Sequence, residues 1–254
     1  MLALDVLVDN NLIAAAQVAA ALVALGIGAV YDLKTRSIPS KLAYAFVLVE
    51  LALLAYRVYT EGLPRFWTLY AAVDALLIGF TGLMVLLCMK GPGDLYMLTG
   101  AVLSTPWGAP LLPASLALLL YYSVYSIIPS LLILASNIAS RNARLAARRL
   151  PLHKRIYRLL TARPLPAKIL ARRGSWWIPL DISEAKRSVC DANIDPWEVV
   201  ERAIRERKLR EDELVWATYG IPALVTLLAA YITLLLLGDT PITLLLARLL
   251  SPKG

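Results

Sequence analysis

The chain has 254 residues, 59% of them hydrophobic and only 17% charged, with a formal net charge of +8. Its mean hydropathy of +0.66 sets it apart from soluble domains, which average about 45–50% apolar and about 25% charged residues. That excludes a soluble enzyme, a disordered chain and a secreted disulfide scaffold. The single histidine, His153, excludes HExxH zinc proteases and multi-histidine metal sites. Cys88 lies in an apolar run and Cys190 in a polar one, so a disulfide is not expected and the compartment stays undecided.

A helix that crosses a bilayer needs about 20 mostly apolar residues. Leu12–Tyr31 is the first such run and reads as a retained span, since it has no cleavage-site pattern. Leu42–Tyr59, interrupted by Glu50 and Arg57, is the second, and Trp67–Met89, carrying Asp74, is the third. Asp94–Thr105 and Leu111–Ser136 follow, separated by the breaker Pro106-Trp107-Gly108-Ala109-Pro110, and Leu214–Leu237 is the last. The expected fold is therefore an all-α polytopic membrane protein of six spans, with a small cytosolic α+β insertion before the last. Residues 1–140 would carry the first five spans, 141–213 the insertion, and 214–254 the last span and tail. The fourth run rises only about 18 Å as a helix, so its first residue, Asp94, should lie below the membrane surface.

Charge sets the orientation. Residues 141–213 hold 18 of the 26 Lys and Arg and 10 of the 18 acidic residues. Lys34, Arg36 and Lys41 follow the first run, and Lys90 follows the third. All three basic loops fall on one side if there are six spans. The positive-inside rule makes that side cytosolic and puts both termini outside. Arg141–Leu160, basic with Leu145, Leu152, Ile156 and Leu159, reads as a segment lying on anionic lipid. No nucleic-acid-binding motif accompanies the basic block. Ser175-Trp176-Trp177-Ile178-Pro179-Leu180 reads as a short strand or an interface anchor. Asp195-Pro196-Trp197-Glu198 reads as a capped helix start, with the helix running to about Lys208. There is no internal repeat.

Acidic residues at membrane depth are costly and are functional candidates. Glu50 and Asp74 lie deep and suit a structural polar network, with Arg57, between the second and third spans. Asp32 and Asp94 sit instead at the cytosolic ends of two spans, at one depth. Two carboxyl groups so placed can share a proton and activate a water. The local sequence sharpens this. Lys90-Gly91-Pro92-Gly93-Asp94 puts glycines beside one carboxylate, where they allow close approach or unusual dihedrals. The other begins Asp32-Leu33-Lys34-Thr35-Arg36-Ser37-Ile38-Pro39-Ser40.

These two motifs resemble the GxGD aspartic intramembrane proteases, and most closely the archaeal prepilin and preflagellin branch of the type IV prepilin peptidases. In that family an Ile-Pro-Asn-like turn follows the first aspartate, as Ile38-Pro39-Ser40 does here with Ser40 in place of Asn. The second aspartate closes GxGD at the start of the fourth span, and Gly220-Ile221-Pro222 matches the beginning of the last. The resemblance implies a membrane aspartic endopeptidase with Asp32 and Asp94 as catalytic pair, Gly91, Pro92 and Gly93 as the active-site loop, and no metal or cofactor. It implies class III signal peptides of pilin and archaellin precursors as substrates, cut at the cytosolic face. Without the paired CxxC motifs of bacterial relatives, no methyltransferase activity is expected. Pro222, Glu211, Asp212 and Glu213 are candidate substrate contacts, the acidic three because the leaders are basic. Presenilin and signal peptide peptidases share Tyr-Asp, GxGD and Pro-Ala-Leu elements, found here as Tyr31-Asp32, Gly91–Asp94 and Pro222-Ala223-Leu224, but their aspartates lie on adjacent spans. A non-enzymatic transporter or scaffold is the alternative of another class.

Overall fold

The computed structural model describes residues 12–35, 37–63, 66–87, 90–105, 113–148, 150–172, 177–187, 194–220 and 222–244. Cys88, Cys190, the 106–110 breaker, Ser175, Trp176, Ile221 and both termini lie outside the described residues, so the expectations that concern them are not addressed. The described part is mostly helical with one small sheet. The chain divides into two units, Met1–Tyr125 with Pro222–Gly254, and Ser126–Ile221.

The first unit contains helices α1 (Leu12–Thr35), α2 (Ser40–Glu61), α3 (Trp67–Leu86), α4 (Pro92–Leu103), the start of α5 (Ala114–Ala139), and α11 (Ala223–Leu237). Four of these, α1, α2, α3 and α5, are long and apolar enough to cross a membrane. In hydrocarbon every backbone polar group must bond within its own segment, which is why apolar runs of this length become helices. At 12 residues for α4 and 15 for α11, the other two are shorter than a bilayer-crossing helix.

Which helices sit centrally follows from their small residues. On α1, Ala14, Val18, Ala21, Leu25, Gly28 and Ala29 are buried along one side. Small side chains at helical spacing let neighbouring backbones approach, and α1 packs on α2, α4 and α11. Short α4 is also central, with Met97, Leu98, Gly100, Ala101 and Val102 buried. Leu25, Met97, Leu118, Leu224 and Tyr231 form the middle of the core. By contrast α3 buries only Leu77 and Thr81 and leaves Leu76, Phe80 and Leu83 exposed. Apolar patches of this extent mark a surface for lipid or another protein rather than water.

Among the described residues, the hydrogen bonds of Arg57 run to α1 and within α2 rather than to α3. Arg57 Nε donates to Glu61 at 3.0 Å and Arg57 Nη1 to Gln17 Oε1 at 3.5 Å, so it links α2 to α1. Gln17 Nε2 donates onward to the Leu103 carbonyl at 3.4 Å, reaching the end of α4. Glu50 is fully buried and faces Gln17, whereas Asp74 faces Ser115 of α5. Helical phase is the reason: the two carboxylates leave their helices toward different neighbours.

The second unit carries α6 (Arg141–Arg148), α7 (Leu152–Thr161), β1 (Ala162–Pro166), α8 (Ala167–Leu170), β2 (Trp177–Pro179), α9 (Ser183–Arg187), α10 (Pro196–Arg205) and β3 (Leu214–Tyr219). The strands form an antiparallel sheet in the order β1-β3-β2. Ala162 pairs with Thr218 and Pro166 with Leu214 on one side, and Trp177 with Tyr219 on the other. Leu170 of α8, Val200 of α10, and Val215 and Ala217 of β3 make its core. The expected last span is therefore corrected at its start: Leu214–Tyr219 is a central strand, and the helix begins only at Ala223. A hydropathy window cannot separate a buried strand from a helix. The β-branched and aromatic residues of Val215-Trp216-Ala217-Thr218-Tyr219, closed by Gly220 and Pro222, carry that distinction.

The basic segment Arg141–Leu160 forms two helices, separated ahead of Pro151, which has no N–H to give and sits just before α7. One smaller expectation changes. The start of α10 has Asp195 as N-cap and Pro196 in the first turn, but the Asp195 side chain makes no capping bond. Its carbonyl receives the Glu198 and Val199 N–H groups instead. The short-strand reading around Trp177 matches β2.

Candidate active site

Asp32 lies on the last turn of α1, and the turn that follows is closed locally. Thr35 Oγ1 bonds back to the Tyr31 carbonyl at 3.0 Å and forward to the Ser37 carbonyl at 3.0 Å. Pro39, with φ −56° and ψ 121°, cannot continue a helix in that conformation and serves as the cap of α2, its carbonyl accepting the Leu42 and Ala43 N–H groups. Ser40 is then the first residue of α2 and is exposed. Ile38 and Pro39 are half-buried, turned back toward the helices.

Asp94 is positioned by the start of α4. Gly91 is the N-cap, Pro92 follows in the first turn, and the Asp94 carboxylate reaches back to accept the Gly91 N–H at 3.3 Å. The expectation of unusual backbone dihedrals is corrected for Gly91: its φ of −77° and ψ of 153° are ordinary extended values. What Gly93 allows is a close approach. A Cβ there would lie 3.0 Å from Ile38 Cδ1 and 3.3 Å from Ile38 Cβ. The glycine of one motif is thus packed against the isoleucine of the other.

A third element completes the arrangement. The Leu224 backbone N–H, in the first turn of α11, donates to Asp32 Oδ2 at 2.9 Å. Free N–H groups at a helix start stabilise a carboxylate, and a hydrogen bond to a charged group contributes about 1.5–3 kcal/mol. Pro222, two residues earlier, is the N-cap of this helix. Gly28, one turn before Asp32, makes the approach possible: a Cβ on it would lie 2.6 Å from Leu224 Cδ1 and 2.8 Å from Met97 Cε. Helices α1, α4 and α11 therefore meet at Gly28, just beneath both carboxylates.

Asp32 and Asp94 lie close enough to interact electrostatically, and each is half-buried. Lys90 also acts on Asp94. Its Nζ donates to Tyr122 Oη of α5 at 2.6 Å, and it stands 4.6 Å from the centre of the Tyr122 ring. Each carboxylate thus faces the N-terminus of a different helix. The chemistry open to such a pair is general acid–base activation of a water, with one carboxylate accepting and the other donating a proton.

Sequence reading missed Gly28, the Leu224 N–H and Tyr122. Gly28 had a usable signal, a small residue one turn from a candidate aspartate on an apolar helix. The other two had none, because they depend on which helices become neighbours. Glu211, Asp212 and Glu213 belong to the other unit, in the turn before β3. Asp212 pairs with Arg210 at 3.0 Å, and Glu213 Oε2 accepts the Arg210 N–H at 3.3 Å. Among the described residues no group of three or more His, Cys, Asp or Glu could hold a metal ion. No protein-family model matches the chain, and no curated protein matches it significantly.

Proposed function

We propose that the chain is a membrane aspartic endopeptidase of the prepilin and preflagellin peptidase type, with Asp32 and Asp94 as its catalytic pair. The observation that carries this reading is the contact between the two motifs. Residues distant in sequence, Ile38 and Gly93, pack together, and the Leu224 N–H holds Asp32 beside Asp94. In the reaction a water oxygen attacks the scissile carbonyl carbon while one carboxylate takes the water proton. The other carboxyl protonates the carbonyl oxygen. Collapse breaks the C–N bond as the proton held by the first carboxylate passes to the leaving amine, and a diol hydroxyl returns its proton to the second carboxylate, so the pair ends as it began. Helix-end stabilisation applies to both aspartates, so the roles of base and acid are not divided by it.

Six spans complete the reading, with α4 and α11 as short helices enclosed by the longer ones. The dyad then faces the cytosol, where a basic class III leader meets the hydrophobic helix that follows it. The substrates are pilin and archaellin precursors, and no methyl transfer accompanies the cut. The test is purified protein in lipid, incubated with a panel of class III precursors, with the new amino termini sequenced. Cleavage at one leader boundary, lost in D32N and in D94N, supports the reading. Intact precursors across the panel would sink it.

A further inference from the structure

The α6–α7 hairpin follows directly from a helix long enough to cross the membrane, and its far end returns to that helix. Ser140 alone separates α5 from α6. Asn137, on the last turn of α5 and fully buried, donates through Nδ2 to the Leu159 carbonyl at 2.9 Å and the Ala162 carbonyl at 2.7 Å. Both ends of the hairpin are thereby fixed to the place where α5 ends. With eight residues in α6 and ten in α7, the two helices extend only about 12 Å and about 15 Å. Arg155 stiffens the turn between them by donating to the carbonyls of Ala147, Arg148 and Leu150.

The outer surface of this tethered hairpin is unsuited to water. Leu152 is 68% exposed, Tyr157 58%, Ile156 51% and Leu145 49%. Leu159, by contrast, packs inward with Ala147, Ala162 and Trp216. Exposed Arg141, Arg144, Arg148 and Lys154 flank the apolar group. No acidic residue occurs between 141 and 180, and the next one, Asp181, is taken by Arg158 at 2.5 Å. Among the described residues none of those four cations forms an ion pair.

We propose that the α6–α7 hairpin is an in-plane anchor that inserts Leu145, Leu152, Ile156 and Tyr157 into the anionic phospholipid surface at which α5 ends. Apolar side chains flanked by Lys and Arg are what a negatively charged headgroup layer over hydrocarbon takes. A second copy would bring the same positive charge against itself, and a basic leader would be repelled. The anchor does not depend on the protease reading, and cleavage is not its readout.

Full-length protein carrying the photo-crosslinking residue benzoylphenylalanine at position 152, 156 or 205 tests this. Position 205, exposed at the end of α10, is the control. The protein is placed in nanodiscs of phosphatidylcholine with phosphatidylglycerol, irradiated and weighed intact. The expected result is lipid adducts at 152 and 156 severalfold above 205, with phosphatidylglycerol enriched beyond its share of the disc. The R141Q/R144Q/R148Q/K154Q variant, checked for an unchanged melting profile, should lose that enrichment. Adducts at 152 and 156 no greater than at 205 would overturn the proposal. So would a covalent dimer, which assigns the face to a second copy, or adducts that follow bulk lipid composition.

Discussion

Two carboxylates held by different backbone N–H groups define the molecule at the residue scale. Each role in acid–base hydrolysis needs a titratable oxygen, and Asn is nearly the same shape as Asp. D32N and D94N should therefore each lower turnover by roughly 10²–10⁴-fold while the reconstituted protein keeps its wild-type melting profile. Cleavage kinetics and a thermal melt on one preparation decide it, and appreciable turnover by either variant removes that residue from the mechanism. Gly93 makes a subtler case. The methyl of G93A would press on Ile38 Cδ1 at 3.0 Å. Overpacking of this kind typically costs about 1–3 kcal/mol. Ile38 can shift only by moving the turn that leads from Asp32 to Pro39, so activity should fall along with stability. I38V removes Cδ1, and the G93A/I38V double variant should recover part of the lost activity. Equal activity in G93A and the double variant would show that the contact is incidental.

Helices α1, α4 and α11 converge because one of them lacks a side chain at the crossing. At Gly28 a valine would meet Leu224 and Met97 within normal packing distance and push α11 away from α1. G28V should lower stability by about 1–3 kcal/mol and lengthen the Leu224–Asp32 hydrogen bond. L224A in the same chain opens space for the added side chain and should restore the melting temperature in part. A G28V melt that matches wild type would mean the helices do not rely on this crossing. Glu50 offers the contrast. It lies ten residues into α2 from Ser40, about 15 Å along the helix, and faces Gln17 rather than the dyad. E50Q should leave cleavage within about twofold, in keeping with a site outside the reacting groups. An inactive but fully folded E50Q protein would place Glu50 in the mechanism.

The proposed orientation of the whole molecule requires the three basic loops to fall on one side. Ser37 is exposed after α1, Leu63 after α2, and Lys208 after α10. Single cysteines at these positions, in a chain without Cys88 and Cys190, report sidedness through a membrane-impermeant maleimide. S37C and K208C should react only when the cytosolic face is open to the reagent, and L63C only from the opposite face. Labelling of S37C and K208C from opposite faces would break the six-span topology and move the dyad with it.

The amino-acid sequence alone determined what lipid and backbone chemistry demand locally. Apolar runs of sufficient length had to become helices, so α1, α2, α3 and α5 were legible within a few residues. The shortness of α4, the Gly91-Pro92-Gly93-Asp94 start and the Asp32 to Ile38-Pro39 turn were legible for the same reason, since each depends on neighbours in sequence. Tertiary structure decided everything that depends on neighbours in space. Val215–Tyr219 became a strand because β1 and β2 flank it, although it leads directly into the apolar run of α11. Arg57 turned to Gln17 and Glu61 because helical phase aimed it there. Gly93 gives room to the side chain of Ile38 rather than an unusual dihedral. Asp32 gained the N–H of Leu224, 192 residues away, because an absent side chain at Gly28 let two helices close. Hydropathy and motif spacing are one-dimensional properties, whereas the partner of a carboxylate is chosen by which backbones can touch.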